Sequence, residues 1–172
     1  MTYRIMTVCT GNICRSPMAE VVLRRRLAEA GLDGRVEVDS SGISDEEHGN
    51  PVDPRAASVL REHGYDVPRH RAHQVSSQEI GERDLLLAMT ARHARWLRTR
   101  APGEDAAARV RMYRSFDPDA PDVEGPGAVA DEAALDIDDP WYGGREDFER
   151  TLEQVEAAAD AVVEHVRRQL DG

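Results

Sequence analysis

The stretch "CTGNICRS", Cys9 to Ser16, gathers both cysteines of the chain, an arginine and a glycine into eight residues. Four readings are open for it: a disulfide, a metal site, a tight packing turn, or a reacting group. A short apolar run, "YRIMTVC", leads in, and a helix-like segment, "PMAEVVLRRRLAEAGL", leads out. A strand that turns into a helix places the turn at the carboxyl edge of a parallel sheet, where open α/β folds bind ligands. Successive amides of such a turn can form an anion nest, and the helix N-terminus adds partial positive charge. Ser16 and Pro17 suit the N-cap and the first helical position. Arg15 offers a planar fork to a tetrahedral oxyanion, so the expected ligand is phosphate, sulfate or arsenate. Cys9 ends the strand at the floor of this cradle, where positive surroundings favour the thiolate. A thiolate beneath a bound phosphoryl group is placed for in-line attack on phosphorus. Arg15 would then stabilise the equatorial oxygens. The bland reading makes Cys9 a buried strand residue and Arg15 a surface charge; the Ser-Pro and the helix that follow favour the reacting one.

The elements that must hold this turn alternate. Strands are expected at 4–9, 35–41, 83–89 and 109–115, and helices at 17–30, 54–63 and 91–100, closed by Gly31, Gly64 and Pro102. A short helix is expected at 77–81. The last helix, about 145–170, carries Phe148, Leu152, Val155, Ala159, Val162, Val166 and Leu170 at helical spacing. Alternating strands and helices imply an α/β fold of three layers, a parallel sheet with helices on both faces. At 172 residues, with no internal repeat or interior linker, residues 1–172 read as one domain. The stretch 117–144 holds four prolines and many acids and reads as a long, functional loop.

Acidic residues outnumber basic ones 33 to 22, for a net charge of -11, which argues against nucleic-acid or anionic-membrane partners. No apolar run reaches the length of a membrane span. The N-terminus lacks the apolar core of a signal peptide, which predicts the cytoplasm, with export by a signal-less route as the alternative. Every basic residue besides histidine is Arg; with no Lys, a Walker-type phosphate loop and a Schiff base are excluded. Two cysteines cannot frame a domain of this size with disulfides and read as free thiols.

"VCTGNICRSPMAE" resembles the phosphate loop of the low-molecular-weight protein tyrosine phosphatases, and "DDPWYGG" (138–144) resembles their acid loop. The resemblance continues through "DSSG" (39–42), "GNPVDPRA" (49–56), "HRAHQV" (70–75) and "RSFDP" (114–118). It implies a four-stranded parallel sheet and a two-step hydrolysis of phosphotyrosine on protein substrates that needs no metal and no cofactor. Cys9 would be the nucleophile and Arg15 the phosphate ligand and transition-state stabiliser. Asp139, directly before Pro140, would be the general acid and then the base, with Asp138 as the neighbouring alternative. Thr10, Gly11, Asn12, Ile13, Cys14 and Ser16 would surround the phosphate. Within that set, Asn12 would hold the loop's unusual backbone and Ser16 would bond the Cys9 thiolate. Trp141 and Tyr142 would wall the phenyl slot. The chain is expected to act as a monomer.

Three positions depart from the family pattern. Glu46 or Glu47 stands where an aromatic wall is usual, which predicts weaker binding of simple aryl phosphates and a preference for basic peptides. His73 stands where Arg is frequent, while His70 keeps a buttressing place near Asn12; their spacing admits zinc, but no set of further ligands completes it. Thr90 stands where an acid is common. Ile13 favours a phenyl ring over the guanidinium that an arginine phosphatase of the same family selects with Thr. An arsenate reductase would need further cysteines, and a noncatalytic phosphate binder would be expected to lose Cys9 or Asp139. Cys14 either packs the loop or closes a disulfide that shields Cys9 from irreversible oxidation.

Overall fold

The first strand, β1 (Tyr3–Cys9), is buried without interruption from Ile5 to Cys9, as a strand covered on both faces must be. In the computed structural model, which describes residues 1–128 and 131–172, β1 pairs in parallel with β2 (Val36–Gly42) and with β3 (Leu85–Ala88). β3 in turn pairs in parallel with β4 (Val110–Met112). The resulting order, β2-β1-β3-β4, places the carboxyl end of β1 where the winding direction reverses. That switch point leaves a crevice between diverging connections, and the chain fills it with residues 10 to 14.

Among the described residues, six helices flank the sheet: α1 (Arg15–Glu29), α2 (Pro54–Glu62), α3 (Ser77–Glu82), α4 (Ala91–Arg100), α5 (Glu104–Ala108) and α6 (Arg145–Asp171). The alternation of β1 side chains sorts them. Ile5 and Cys9 join Met18 and Leu23 of α1, Leu60 of α2, and Phe148 and Leu152 of α6 in one core. Met6 and Val8 join Ile80 of α3, Leu97 of α4 and Ala106 of α5 in the other. The expected three-layer α/β architecture with four parallel strands is the one observed. Along α6, six of the seven anticipated apolar positions are buried; Leu170, in the last turn, is only partly covered.

Several boundaries differ from expectation. β4 ends at Met112 and the chain turns as a 3-10 helix over Tyr113–Phe116, because Tyr113 leaves the sheet plane to bury its ring and donate to the Val155 carbonyl of α6 at 2.7 Å. α5 was not anticipated, although the acids of its first turn and its three alanines suit a helix. Ser16 is not the N-cap: α1 begins at Arg15, and Cys14 takes the cap place without a side-chain bond. The Ser16 hydroxyl is engaged behind the turn instead. Among its described residues the long loop contains two short 3-10 turns, Glu132–Leu135 and Pro140–Tyr142, with Leu135 and Ile137 fully buried. Residues 129 and 130 of that stretch lie outside the described residues.

Candidate active site

The turn after β1 is shaped by where its carbonyls go. Those of Cys9 and Thr10 accept from the amides of Ile43 and Ser44, and that of Ile13 accepts from Asp53. The Asn12 carbonyl accepts from His70 Nε2 at 2.6 Å, and that of Cys14 from Met18 within α1. With these carbonyls tied to the surrounding elements, the amides are left for the concave side. Among the described residues, none of the amides of residues 11 to 15 donates to another protein group. Such a ring of unpaired N–H groups at a helix N-terminus is an anion site.

Asn12 makes the turn possible. Its φ of 63° lies in the left-handed region, which Asn tolerates better than most residues. Its side chain is bonded on every side: Nδ2 donates to Ser16 Oγ and to Ser40 Oγ, both at 2.9 Å, and Oδ1 accepts from the His73 amide at 3.1 Å. Gly42 allows the approach of β2, since a Cβ there would fall 2.5 Å from the Thr10 carbonyl oxygen. Ser40, Ser41 and Gly42 of "DSSG" and His70 and the His73 amide of "HRAHQV" thus hold the turn from behind.

Cys9 Sγ lies 3.0 Å from Ser16 Oγ, which also reaches the Ser41 carbonyl at 3.1 Å. Ser16 has one proton for two acceptors. When Cys9 is a thiol, its S–H donates to Ser16 and the hydroxyl donates to Ser41. When Cys9 is a thiolate, the hydroxyl can turn to the sulfur. Burial, followed by the charge of Asp53, pushes the Cys14 thiol far up, so Cys14 remains protonated at neutral pH. Both cysteines are free.

Arg15 is 4 % exposed, and its guanidinium is fixed by three groups. Nη1 donates to the Ile137 carbonyl at 3.0 Å, while Nη2 reaches Thr10 Oγ1 and Asp139 Oδ2, each at 3.4 Å. Asp139 caps the 3-10 turn Pro140–Tyr142 through Oδ1, which accepts from the Trp141 amide at 3.1 Å. The turn at Asp139 is thereby tied to the turn after β1 across more than 120 residues of sequence.

A cavity of about 160 Å³ opens over this arrangement. Nine of the eleven residues singled out in the sequence line it: Cys9, Thr10, Gly11, Ile13, Cys14, Arg15, Asp139, Trp141 and Tyr142. Asn12 and Ser16 are fully buried behind its wall. Asp138 does not line it; Glu46 and Glu47 do. The Glu47 stem lies against Gly11, and its carboxylate accepts from Asn50 Nδ2 at 2.7 Å, so its place is set while Glu46 remains exposed. Trp141 and Tyr142 line it as an edge-to-face pair, with ring centroids 5.0 Å apart.

Two residues were not found by sequence reasoning. Arg55 grips Asp53 with Nε and Nη2 and donates from Nη1 to the Trp141 carbonyl at 3.1 Å. His93 bonds Thr10 from a helix 83 residues away. The resembling segment "GNPVDPRA" contained Arg55 but gave it no role, and no local pattern marks His93. Thr90 has a plain account: its hydroxyl caps α4, accepting from the His93 amide at 3.2 Å. An acid at that position could make the same bond.

The family model "Low molecular weight phosphotyrosine protein phosphatase" matches residues 4–171. The chain is 48 % identical over 172 residues to a low molecular weight protein-tyrosine-phosphatase of Streptomyces coelicolor, covering all of this chain and 98 % of that one. It is 43 % identical over 163 residues to low molecular weight protein-tyrosine phosphatase A of Mycobacterium tuberculosis, covering 95 % and 91 %. Among solved structures, YfkJ of Bacillus subtilis superposes with a TM-score of 0.84 at 27 % identity, over 98 % of this chain and 97 % of that one. Wzb of Vibrio vulnificus, solved in complex with benzylphosphonate, superposes with a TM-score of 0.76 at 28 % identity, over 96 % and 99 %.

Proposed function

The chain belongs to the low molecular weight phosphotyrosine protein phosphatase family, and on that premise we propose a two-step hydrolysis of phosphotyrosine with Cys9, Arg15 and Asp139 in the central roles. The Cys9 thiolate attacks phosphorus; the S–P bond forms as the bond to the phenolic oxygen breaks. Asp139 gives its proton to the departing oxygen. Water then attacks the phosphocysteine, gives its proton to the Asp139 carboxylate, and releases phosphate and the thiolate. Arg15 and the amides of residues 11 to 15 hold the phosphoryl oxygens through both steps. Ser16 donates to the sulfur when it carries charge, as attacking group and again as leaving group.

The observation that carries this reading is the convergence of Cys9, Arg15 and Asp139 on one cavity whose floor is a ring of unpaired amides. The benzylphosphonate bound by the Vibrio vulnificus relative has the shape of an aryl phosphate, and the apolar Ile13 with Trp141 and Tyr142 suits such a ring here. Two free thiols suit a reducing compartment such as the cytoplasm.

The test is p-nitrophenyl phosphate hydrolysis in the presence of a chelator. Wild type is expected to be active and Cys9→Ser inactive. Asp139→Asn should lower turnover by ~10²–10⁴-fold. Undiminished release of p-nitrophenol by Cys9→Ser would end the proposal.

A further inference from the structure

His93 lies in the first turn of α4, on the face of the sheet opposite α1, and is 1 % exposed. Its backbone amide is held by the Thr90 cap, so the ring has a fixed origin. Nε2 stands 2.8 Å from Thr10 Oγ1. The same Thr10 oxygen receives Arg15 Nη2, and Thr10 lines the cavity beside Cys9. Nδ1 is buried and, among the described residues, has no hydrogen-bond partner.

That unpartnered nitrogen decides which way the imidazole faces. A neutral ring carries one proton, on Nδ1 or on Nε2. Burial, followed by the nearby Arg15, lowers the pKa of His93 from 6.5 to about 3, so the ring is neutral at physiological pH. A proton on Nδ1 would be a buried donor with nothing to bond, whereas a proton on Nε2 is used by Thr10. Unpaired buried donors are the rarer and costlier of the two cases. The Nε2–H form therefore prevails, and it fills one lone pair of Thr10 Oγ1 while Arg15 fills the other. The single proton of Thr10 has no acceptor left within that trio and is free to point into the cavity.

We propose that His93 is a positioning residue that turns the Thr10 hydroxyl proton toward the bound phosphoryl group, making Thr10 an added phosphate ligand. The inference rests on the phosphatase reading for the identity of the anion, and its effect is on affinity for the oxyanion. Thr10 thereby ties the second helical layer, through α4, to the orientation of Arg15.

Two measurements separate this from a packing role. Calorimetric titration with inorganic phosphate should show Thr10→Val and His93→Leu each binding roughly ten-fold more weakly than wild type, the loss of about one hydrogen bond to a charged group. The double variant should be no weaker than either single one. Thr10→Ser and His93→Gln, which restore a hydroxyl and an amide N–H, should recover most of the affinity. Unchanged phosphate affinity in His93→Leu with only a lower melting temperature, or losses that add in the double variant, would overturn the proposal. Nitrogen-15 NMR of wild type reads the ring directly: a neutral Nε2–H tautomer supports it, and an Nδ1–H tautomer rejects it even if His93→Leu fails to fold. Absence of p-nitrophenyl phosphate hydrolysis in a wild type that binds phosphate would reject the phosphatase reading alone.

Discussion

A histidine kept neutral in the interior costs stability on the acid side. In the unfolded chain His93 takes a proton below about 6.5, but in the native protein only near 3. Between those values the unfolded state binds the extra proton, so stability falls as pH drops through that window. The slope approaches ~1.4 kcal/mol per pH unit once the unfolded imidazole is fully protonated. His70 and His165, also lowered by burial, contribute with the same sign. His93→Gln should therefore lose less melting temperature than wild type between pH 6.5 and 5, with His70 and His165 accounting for the slope that remains. Identical slopes would mean that His93 titrates normally in the folded state. Burial acts on a cysteine as well: Cys14 is held protonated, which suits it to packing, while the Cys9 sulfur lies 3.0 Å from the Ser16 hydroxyl.

At the scale of elements, the proposed chemistry needs two loops to meet that belong to opposite ends of the chain. β1 and α1 present the phosphate loop, and the acid loop arrives between Ile137 and Tyr142. Buried Ile137 anchors it by donating its amide to the Met89 carbonyl just beyond β3. A second anchor is Arg55 in the first turn of α2. Asp53 donates its amide to the Ile13 carbonyl and grips Arg55, which holds the Trp141 carbonyl and lies over the Phe148 ring at 4.7 Å. The chain of contacts therefore runs from the phosphate loop through α2 to the residues beside Asp139. Arg55→Met keeps a flexible apolar stem and removes the bonds. It should lower turnover on p-nitrophenyl phosphate several-fold while leaving inhibition by inorganic phosphate nearly unchanged, because the oxyanion cradle does not use Arg55. A parallel loss of phosphate affinity would show that Arg55 supports the cradle instead.

For the molecule as a whole, charge and shape act together at the entrance. The chain carries a net charge of -11, and Glu46 and Glu47 add carboxylates to the wall of the cavity itself. A phosphotyrosyl peptide with Arg or Lys beside the phosphotyrosine should be hydrolysed with higher kcat/KM than one with acidic neighbours. Glu46→Gln should narrow the difference. Because exposed charges are screened over a Debye length of ~10 Å at 0.1 M salt and ~3 Å at 1 M, the advantage should shrink as salt is raised. Equal rates on the two peptides, or a preference for the acidic one, would refute the role assigned to this wall. Among the described residues no helix is long and apolar enough to cross a membrane.

Local patterns were enough for a good part of this protein. Alternation of β-rich and helical runs predicted four strands in a parallel sheet, and the seven apolar positions of α6 marked the face it buries, because periodicity reports burial directly. The order Cys9, Arg15 and the Ser-Pro that follows predicted an oxyanion turn, since its chemistry is local. Beyond the His70 buttress and the Ser16–Cys9 bond that the family resemblance implied, the sequence could not state how that turn is held. Asn12 is locked by Ser40 and His73, Thr10 by His93, and Trp141 by Arg55, over separations of 28 to 86 residues. Ser16 reads locally as a helix cap, yet it serves Cys9, as the resemblance implied, and also Ser41, because β2 approaches closely enough for a hydroxyl to find a better use there than on its own helix. Hydrogen-bond satisfaction across the fold, rather than propensity along the chain, decided these places.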